Sequence, residues 1–230
     1  MNEAKVVTIY TTKGGVGKTT TAIHLADYLH SKGHKVALID ADERGMLSEA
    51  IMGSEGNLPF PTLFFENPAG VEDMDRAQAM IGSMIDTIEE AQDGNDYVII
   101  DCGGYNSQAS LAASAVADLT IIPANTGRFD LVQTIEVHGK IEAIAKQMGR
   151  APKLRVLIAR VNLATTLYVG FRAALKDRGI KTFANAVPTY TAISEATFMN
   201  ASIFKHRPNS PAAAFMQRFA DEVIAELDKE

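Results

Sequence analysis

Residues 6–22, VVTIYTTKGGVGKTTTA, constrain the fold more than any other stretch of the chain. VVTIYT (6–11) is a short, β-branched apolar run of the kind buried in a parallel strand. A glycine-rich loop follows, and then the start of a helical pattern. A strand, a glycine loop and a helix in that order make an anion-binding unit, and such units occur in open α/β sheets. The loop is nevertheless irregular. The common phosphate-loop pattern is G-x-x-x-x-G-K-[ST]. Gly17-Lys18-Thr19 satisfies its end, but Thr12 stands where the leading glycine belongs, and an additional lysine, Lys13, comes next.

The rest of the chain keeps the alternation. KVALID (35–40), DYVIID (96–101), LTIIPA (119–124) and LRVLIARVN (154–162) read as strands. PTLFF (61–65) reads as another, at an edge or a strand start because of Pro61, and KTFANAV (181–187) as a weaker one. Helices are expected over 18–32, 76–92, 130–148, 165–178 and 209–228. The first has Ile23, Ala26 and Leu29 on its apolar side and His24, Asp27 and His30 on its polar side, with Gly33 as its stop. The expected fold is α/β, a mostly parallel twisted sheet with helices on both faces, as one domain over 1–230. Ligands of such sheets bind beyond the carboxyl ends of the strands. Three features converge there: the 12–20 loop, Asp40 with Asp42, and Asp101.

The glycines Gly14, Gly15 and Gly17 let backbone amides approach a phosphate, and the helix that follows adds its positive end. Lys18 supplies a point charge for the β- and γ-phosphates, and Thr19 a hydroxyl for Mg²⁺. Asp101 closes an aliphatic strand, where a carboxylate holds Mg²⁺ directly or through water. Asp40 and Asp42 end the other strand, and one of the two is expected to face the nucleotide. The dinucleotide pattern G-x-G-x-x-G fails at Thr20, and no guanine-reading N-K-x-D segment occurs, which favours ATP. Gly103 and Gly104, in GGYN (103–106), read as a flexible switch.

KGGVGKTT (13–20), LIDAD (38–42) and YVIID (97–101) resemble the deviant Walker A, Walker A′ and Walker B motifs of the ParA/MinD ATPases. NLPFP (57–61) is similar to plasmid-type ParA proteins, and the likeness covers nearly the whole chain. It is closest to the small ParA proteins without an N-terminal helix-turn-helix domain, since about four residues precede the first strand. The resemblance implies a P-loop NTPase fold, ATP and Mg²⁺ as cofactors, and slow, partner-stimulated hydrolysis of ATP to ADP and phosphate. Gly14, Gly15, Val16, Gly17, Lys18, Thr19 and Thr20 would form the phosphate cradle. Lys13 would reach across a nucleotide-sandwich homodimer to the partner's phosphates. Asp42 would position the attacking water, and Asp40 would lie near Mg²⁺. Asn162 and the backbone at Val187 and Pro188 would read adenine.

The resemblance further implies DNA partition, with non-specific DNA binding in the ATP state and a ParB-like or other adaptor as activator. The expected location is cytoplasmic and nucleoid-associated. Charge supports a DNA surface: the chain carries net −6, yet residues 140–218 hold 13 Lys/Arg against 3 Asp/Glu. Arginines common in small ParA proteins are missing, with Thr189 and Ala192 in such places. Lys181, Lys205, Arg207 and Arg218 are the candidates that remain. The cargo could equally be a protein assembly or a conjugation complex. A MinD-like membrane role would need a basic amphipathic tail, whereas ADEVIAELDKE (220–230) is acidic. An iron–sulfur carrier would need more cysteine than Cys102. No secretory leader and no membrane-length apolar run is legible.

Overall fold

The computed structural model describes residues 3–42, 59–66, 68, 73–104 and 107–229. Its strands are β1 (Lys5–Ile9), β2 (Val36–Ala41), β3 (Thr62–Phe64), β4 (Tyr97–Cys102), β5 (Leu119–Ala124), β6 (Lys153–Val161) and β7 (Val187–Pro188). They form one sheet in the order β3-β2-β4-β1-β5-β6-β7, with every pairing parallel. The helices are α1 (Lys18–Ser31), α2 (Asp73–Gln92), α3 (Gln108–Val116), α4 (Arg128–Gln147), α5 (Thr166–Lys176), α6 (Thr191–Phe198), α7 (Ile203–His206) and α8 (Pro211–Leu227). β3 is an edge strand, as its flanking Pro61 implies.

Both faces of the sheet are covered, which is why the central strands are buried at nearly every position rather than at alternate ones. Val7, Ile9, Leu38 and Ile99 pack with Leu25 and Leu29 of α1 and Phe219 and Val223 of α8. Val6, Ile39, Val98 and Ile100 face the other way, against Met84 of α2, Leu111 of α3, Ile141 of α4 and Leu175 of α5. Cys102 is buried in this second core, and burial pushes its thiol up to about 12, so it is a packing residue.

Several expectations change. Helix α3 was not foreseen, because SLAASAV is small and apolar throughout and carries no periodic contrast. The strand expected over 181–187 shrinks to one bridge, Thr182 with Val156, and to β7. Its amides have another partner: the Glu222 carboxylate accepts from Ala184 N at 2.6 Å and Asn185 N at 3.0 Å. The polar side assigned to α1 is also wrong. His24 and Asp27 are buried, because α7 and α8 cover that side of the helix. Asp27 accepts the Ser202 hydroxyl and pairs with Lys205 at 3.4 Å.

His24 Nδ1 lies 2.7 Å from the Thr20 carbonyl, while its Nε2 is buried with no hydrogen-bond partner. Burial lowers the imidazole to about 4, against the opposing pull of that carbonyl and of Asp27. Below its ordinary value near 6.5 the unfolded chain takes up a proton that the folded chain refuses until about pH 4. Stability therefore falls as pH drops through that window. Between pH 7 and pH 5 His24 should remove about 2 kcal/mol. Urea unfolding at the two pH values should show the loss reduced by that amount in His24→Asn, which keeps a donor for Thr20 and has no imidazole.

Candidate functional site

The loop joining β1 to α1 is built for an anion. Gly15 and Gly17 have φ of +73° and +98°, a region that favours glycine, and Gly17 caps the N-terminus of α1. Val16 is buried and anchors the loop to the protein, while Gly14 and Gly15 are exposed. Lys18 is almost fully buried, its Nζ donating to the Lys13 carbonyl at 3.0 Å. Burial lowers the Lys18 ammonium, opposed by Asp101, Cys102 and Asp42.

Sheet register brings the carboxylates to this loop. Asp40 on β2 lies directly beside Asp101 on β4. Each follows by two residues a side chain of the α1-side core, Leu38 and Ile99, so both sit on the face that carries the phosphate-loop helix. Asp42, again two residues on, donates its backbone N–H to Asp40 Oδ1 at 3.1 Å. The expectation that only one of Asp40 and Asp42 faces the site is corrected: positions two apart share a face, and Asp42 acts electrostatically on both Lys18 and Asp101.

Asp101 has the most perturbed carboxylate of the site. Burial pushes it up to about 7, with the Thr19 hydroxyl and Lys18 pulling it down and Asp40 and Asp42 pushing it further. Its Oδ1 is buried and has no hydrogen-bond partner. An orphaned carboxylate oxygen beside a hydroxyl and a second carboxylate is a set of hard oxygen donors that fits Mg²⁺. Among the described residues no group of three His, Cys, Asp or Glu side chains is placed to hold a metal. That suits an ion whose remaining positions are filled by water and phosphate. Gly104 lies against the loop: a Cβ there would meet Lys18 Nζ at 3.3 Å and Gly14 at 3.5 Å. Its glycine permits this close approach. The end of the expected switch, 105–106, lies outside the described residues, as do residues 57–58 of NLPFP.

The two lysines of the loop part company. Lys13 pairs with Asp130 of α4, Nζ to Oδ1 2.7 Å. Asp130 is buried, and Gly127 is required beside it, because a Cβ at 127 would lie 2.6 Å from Asp130 Oδ2.

An open cleft adjoins the loop, lined by Val16, Gly17 and Thr20 on one side and by Val187, Pro188 and Tyr190 on another. Its walls are mainly apolar, the character of a surface that receives a flat ring. Val187 and Pro188 form one wall of it. Asn162 is not among the lining residues; its Oδ1 accepts from Ala164 N at 3.0 Å in the turn before α5. Ala159 and Arg160 line the cavity from that strand instead.

The four basic candidates are engaged in different ways. Lys205 pairs with Asp27, Arg207 with Glu195 at 3.0 Å, and Arg218 lies 4.2 Å over the Phe215 ring. Lys181 is exposed in a cleft at the β6 edge with Arg155, Arg172, Lys176 and one acid, Glu226. Sequence reasoning passed over Asp130, Arg160 and the cavity-lining Tyr190 and Ile193. An acid in the first turn of a helix and an arginine in a strand carry no local signal of what lies across the fold.

Residues 7–203 match the model of the CobQ/CobB/MinD/ParA nucleotide binding domain. The chain is 28% identical over 250 residues to the chromosome-partitioning ATPase Soj of Thermus thermophilus, covering 100% of both chains. It is 30% identical over 224 residues to the maintenance of carboxysome distribution protein A of Gloeobacter kilaueensis, covering 95% of this chain and 94% of the relative. The ATP complex of a Cyanothece McdA variant has the same fold, with a TM-score of 0.76 at 19% identity over 98% of each chain.

Proposed function

The chain belongs to the CobQ/CobB/MinD/ParA nucleotide-binding family, and on that premise we propose that it is a ParA-like ATPase, a single domain that dimerises around ATP and partitions DNA. The observation that carries this reading is the separation of the loop's two lysines. Lys18 is buried among acids, and Lys13 is partly exposed and engaged by Asp130 instead. A cation poised beside a phosphate site that it does not enter is suited to the phosphates of a second copy.

In this reading the amides of Gly14–Thr20 hold the phosphates, with Lys18 neutralising them from below. Thr19, Asp40 and Asp101 hold Mg²⁺, which would supply charge neutralisation for phosphoryl transfer. Asp42, half-buried at the mouth of the site, orients the attacking water. The cavity beside Pro188 takes the base. Asn162, turned into its own loop, is not included. Because each site lacks a cation until a second copy arrives, turnover is slow and rises with a ParB-like or other adaptor.

DNA binding is supported by the cleft of Arg172, Lys176 and Lys181 more than by Lys205 and Arg207, whose charges have acidic partners within the chain. No helix among the described residues is long and apolar enough to cross a membrane. The working place proposed is the cytoplasmic nucleoid. A second reading, in which the cargo is a protein assembly, is favoured by the likeness to the carboxysome-distribution protein.

Light scattering with no nucleotide, with ADP and with a slowly hydrolysed ATP analogue should give a dimer only in the last case. The same mass in all three would remove the switch. DNA titrations of the dimer should be indifferent to sequence, with a log–log salt slope of roughly −4 to −5 if each subunit neutralises two or three phosphates. Lys176→Glu with Lys181→Glu should flatten that slope and leave the dimer intact. A confirmed dimer with no DNA affinity at low salt would favour a protein track.

A further inference from the structure

We propose that Arg160 is a positioning residue of the phosphate loop. β6 is irregular at this point, with a register shift between Ala159 and Val161. Arg160 has φ +55°; among the described non-glycine residues only Asn200 shares a positive φ. Such a conformation is unfavourable for a side chain with a Cβ and persists where the surroundings impose it. A bulge re-aims a side chain that strand alternation would send elsewhere. Here the guanidinium reaches the Gly15 carbonyl, Nη1 to O 2.6 Å, across 145 positions of sequence.

The contact fixes the orientation of one peptide plane. The bond from Gly15 to Val16 is trans, so its carbonyl and its N–H point in opposite directions. A carbonyl in the cradle would repel a phosphate, and an N–H there would bind it. By holding the Gly15 carbonyl outward, Arg160 turns the Val16 N–H toward the anion. Gly15, at φ +73°, has the freedom to flip if the tether is lost. Arg160 also lines the base cavity beside Ala159, so one residue links the wall that receives the base to the loop that receives the phosphates.

The inference rests on the reading of the loop as an ATP site. Arg160→Gly is the informative variant, since it removes the guanidinium and suits the left-handed backbone, so the protein should melt no lower than wild type. A fluorescent ADP with Mg²⁺ should bind it about tenfold more weakly, the loss expected for one pre-organised donor. Inorganic pyrophosphate, competing for the same site, should lose the same factor. Arg160→Lys, which keeps a cation and a donor, should recover part of the affinity.

Wild-type affinity in Arg160→Gly would overturn the role. So would weakened ADP with unchanged pyrophosphate, which would place Arg160 at the base alone. Equal losses in the glycine and lysine variants, with lower melting temperatures in both, would make it a structural residue and also overturn the role. Wild-type protein that fails to bind the labelled ADP would remove the ATP-site reading, and this inference with it. Failure of the Arg160 variants alone leaves that reading standing.

Discussion

Lys13→Ala should leave ADP affinity within about threefold of wild type and lower ATP turnover by about a hundredfold or more, the effect of removing a cation from developing transition-state charge. The two halves of this expectation come from one contact. In a single chain the ammonium sits 2.7 Å from Asp130 Oδ1, and the cradle is served by Lys18. Removing Lys13 therefore takes nothing from a chain's hold on its own nucleotide. It takes from a second copy the charge needed as the γ-phosphate departs. The substitution also leaves Asp130 buried without its cation. Lys13 is partly exposed, so this should cost about 1 kcal/mol. Lys13→Ala combined with Asp130→Asn should restore the melting temperature without restoring turnover, separating the electrostatic role from a folding defect. Full activity in Lys13→Ala would end the account of a lysine acting in trans.

Lys18→Ala should weaken Mg²⁺–ADP binding by at least about a hundredfold. Lys18 is the cation buried among Asp101 and Asp42, with Asp40 alongside Asp101. Without it an incoming phosphate meets three carboxylates and the amides alone. Asp101 would also lose a partner that pulls its pKa down, so its carboxyl would stay protonated over a wider range and be a poorer ligand for Mg²⁺. Arginine should not substitute. Gly104 lies close to Lys18 Nζ, a Cβ there standing 3.3 Å away, so a bulkier guanidinium would crowd this segment. Isothermal titration of Mg²⁺–ADP into both variants, with circular dichroism to confirm folding, is the check. Wild-type affinity in Lys18→Ala would show that the amides suffice, and wild-type affinity in Lys18→Arg that a guanidinium fits the site.

Much of this site was legible in sequence because its parts are local. A glycine loop ahead of a helix, and an acid at the end of an aliphatic strand, announce themselves within a few residues. What escaped was set by parity or by partners distant in sequence. Asp40 and Asp42 were separated although residues two apart share a strand face. The resemblance implies Asn162 at the base, and the sequence gives no sign that Ala159 and Arg160 line the cleft beside the loop, since the bulge at Arg160 leaves no trace in composition. His24 and Asp27 looked solvated since a helix's own periodicity cannot report that α7 and α8 cover it. Lys205 and Arg207 were counted as available charge, and each has an acid waiting in the fold.

The position of β1 has a consequence for biosynthesis. Of the described strands it is the first made, it lies in the middle of the sheet, and its two neighbours come late: Lys5 pairs with Tyr97, and Val7 with Leu119. A nascent chain must hold both edges of this apolar strand unpaired until β4 and β5 have left the ribosome. At about 5–20 residues per second, that is an interval of several seconds or more. The phosphate loop is suspended from β1, and its carboxylate Asp101 arrives only with β4, so nucleotide cannot act as an early template for folding. The exposed edges of β1 leave the emerging chain open to wrong strand pairing until then, and ATP becomes a ligand only after the centre of the sheet has closed.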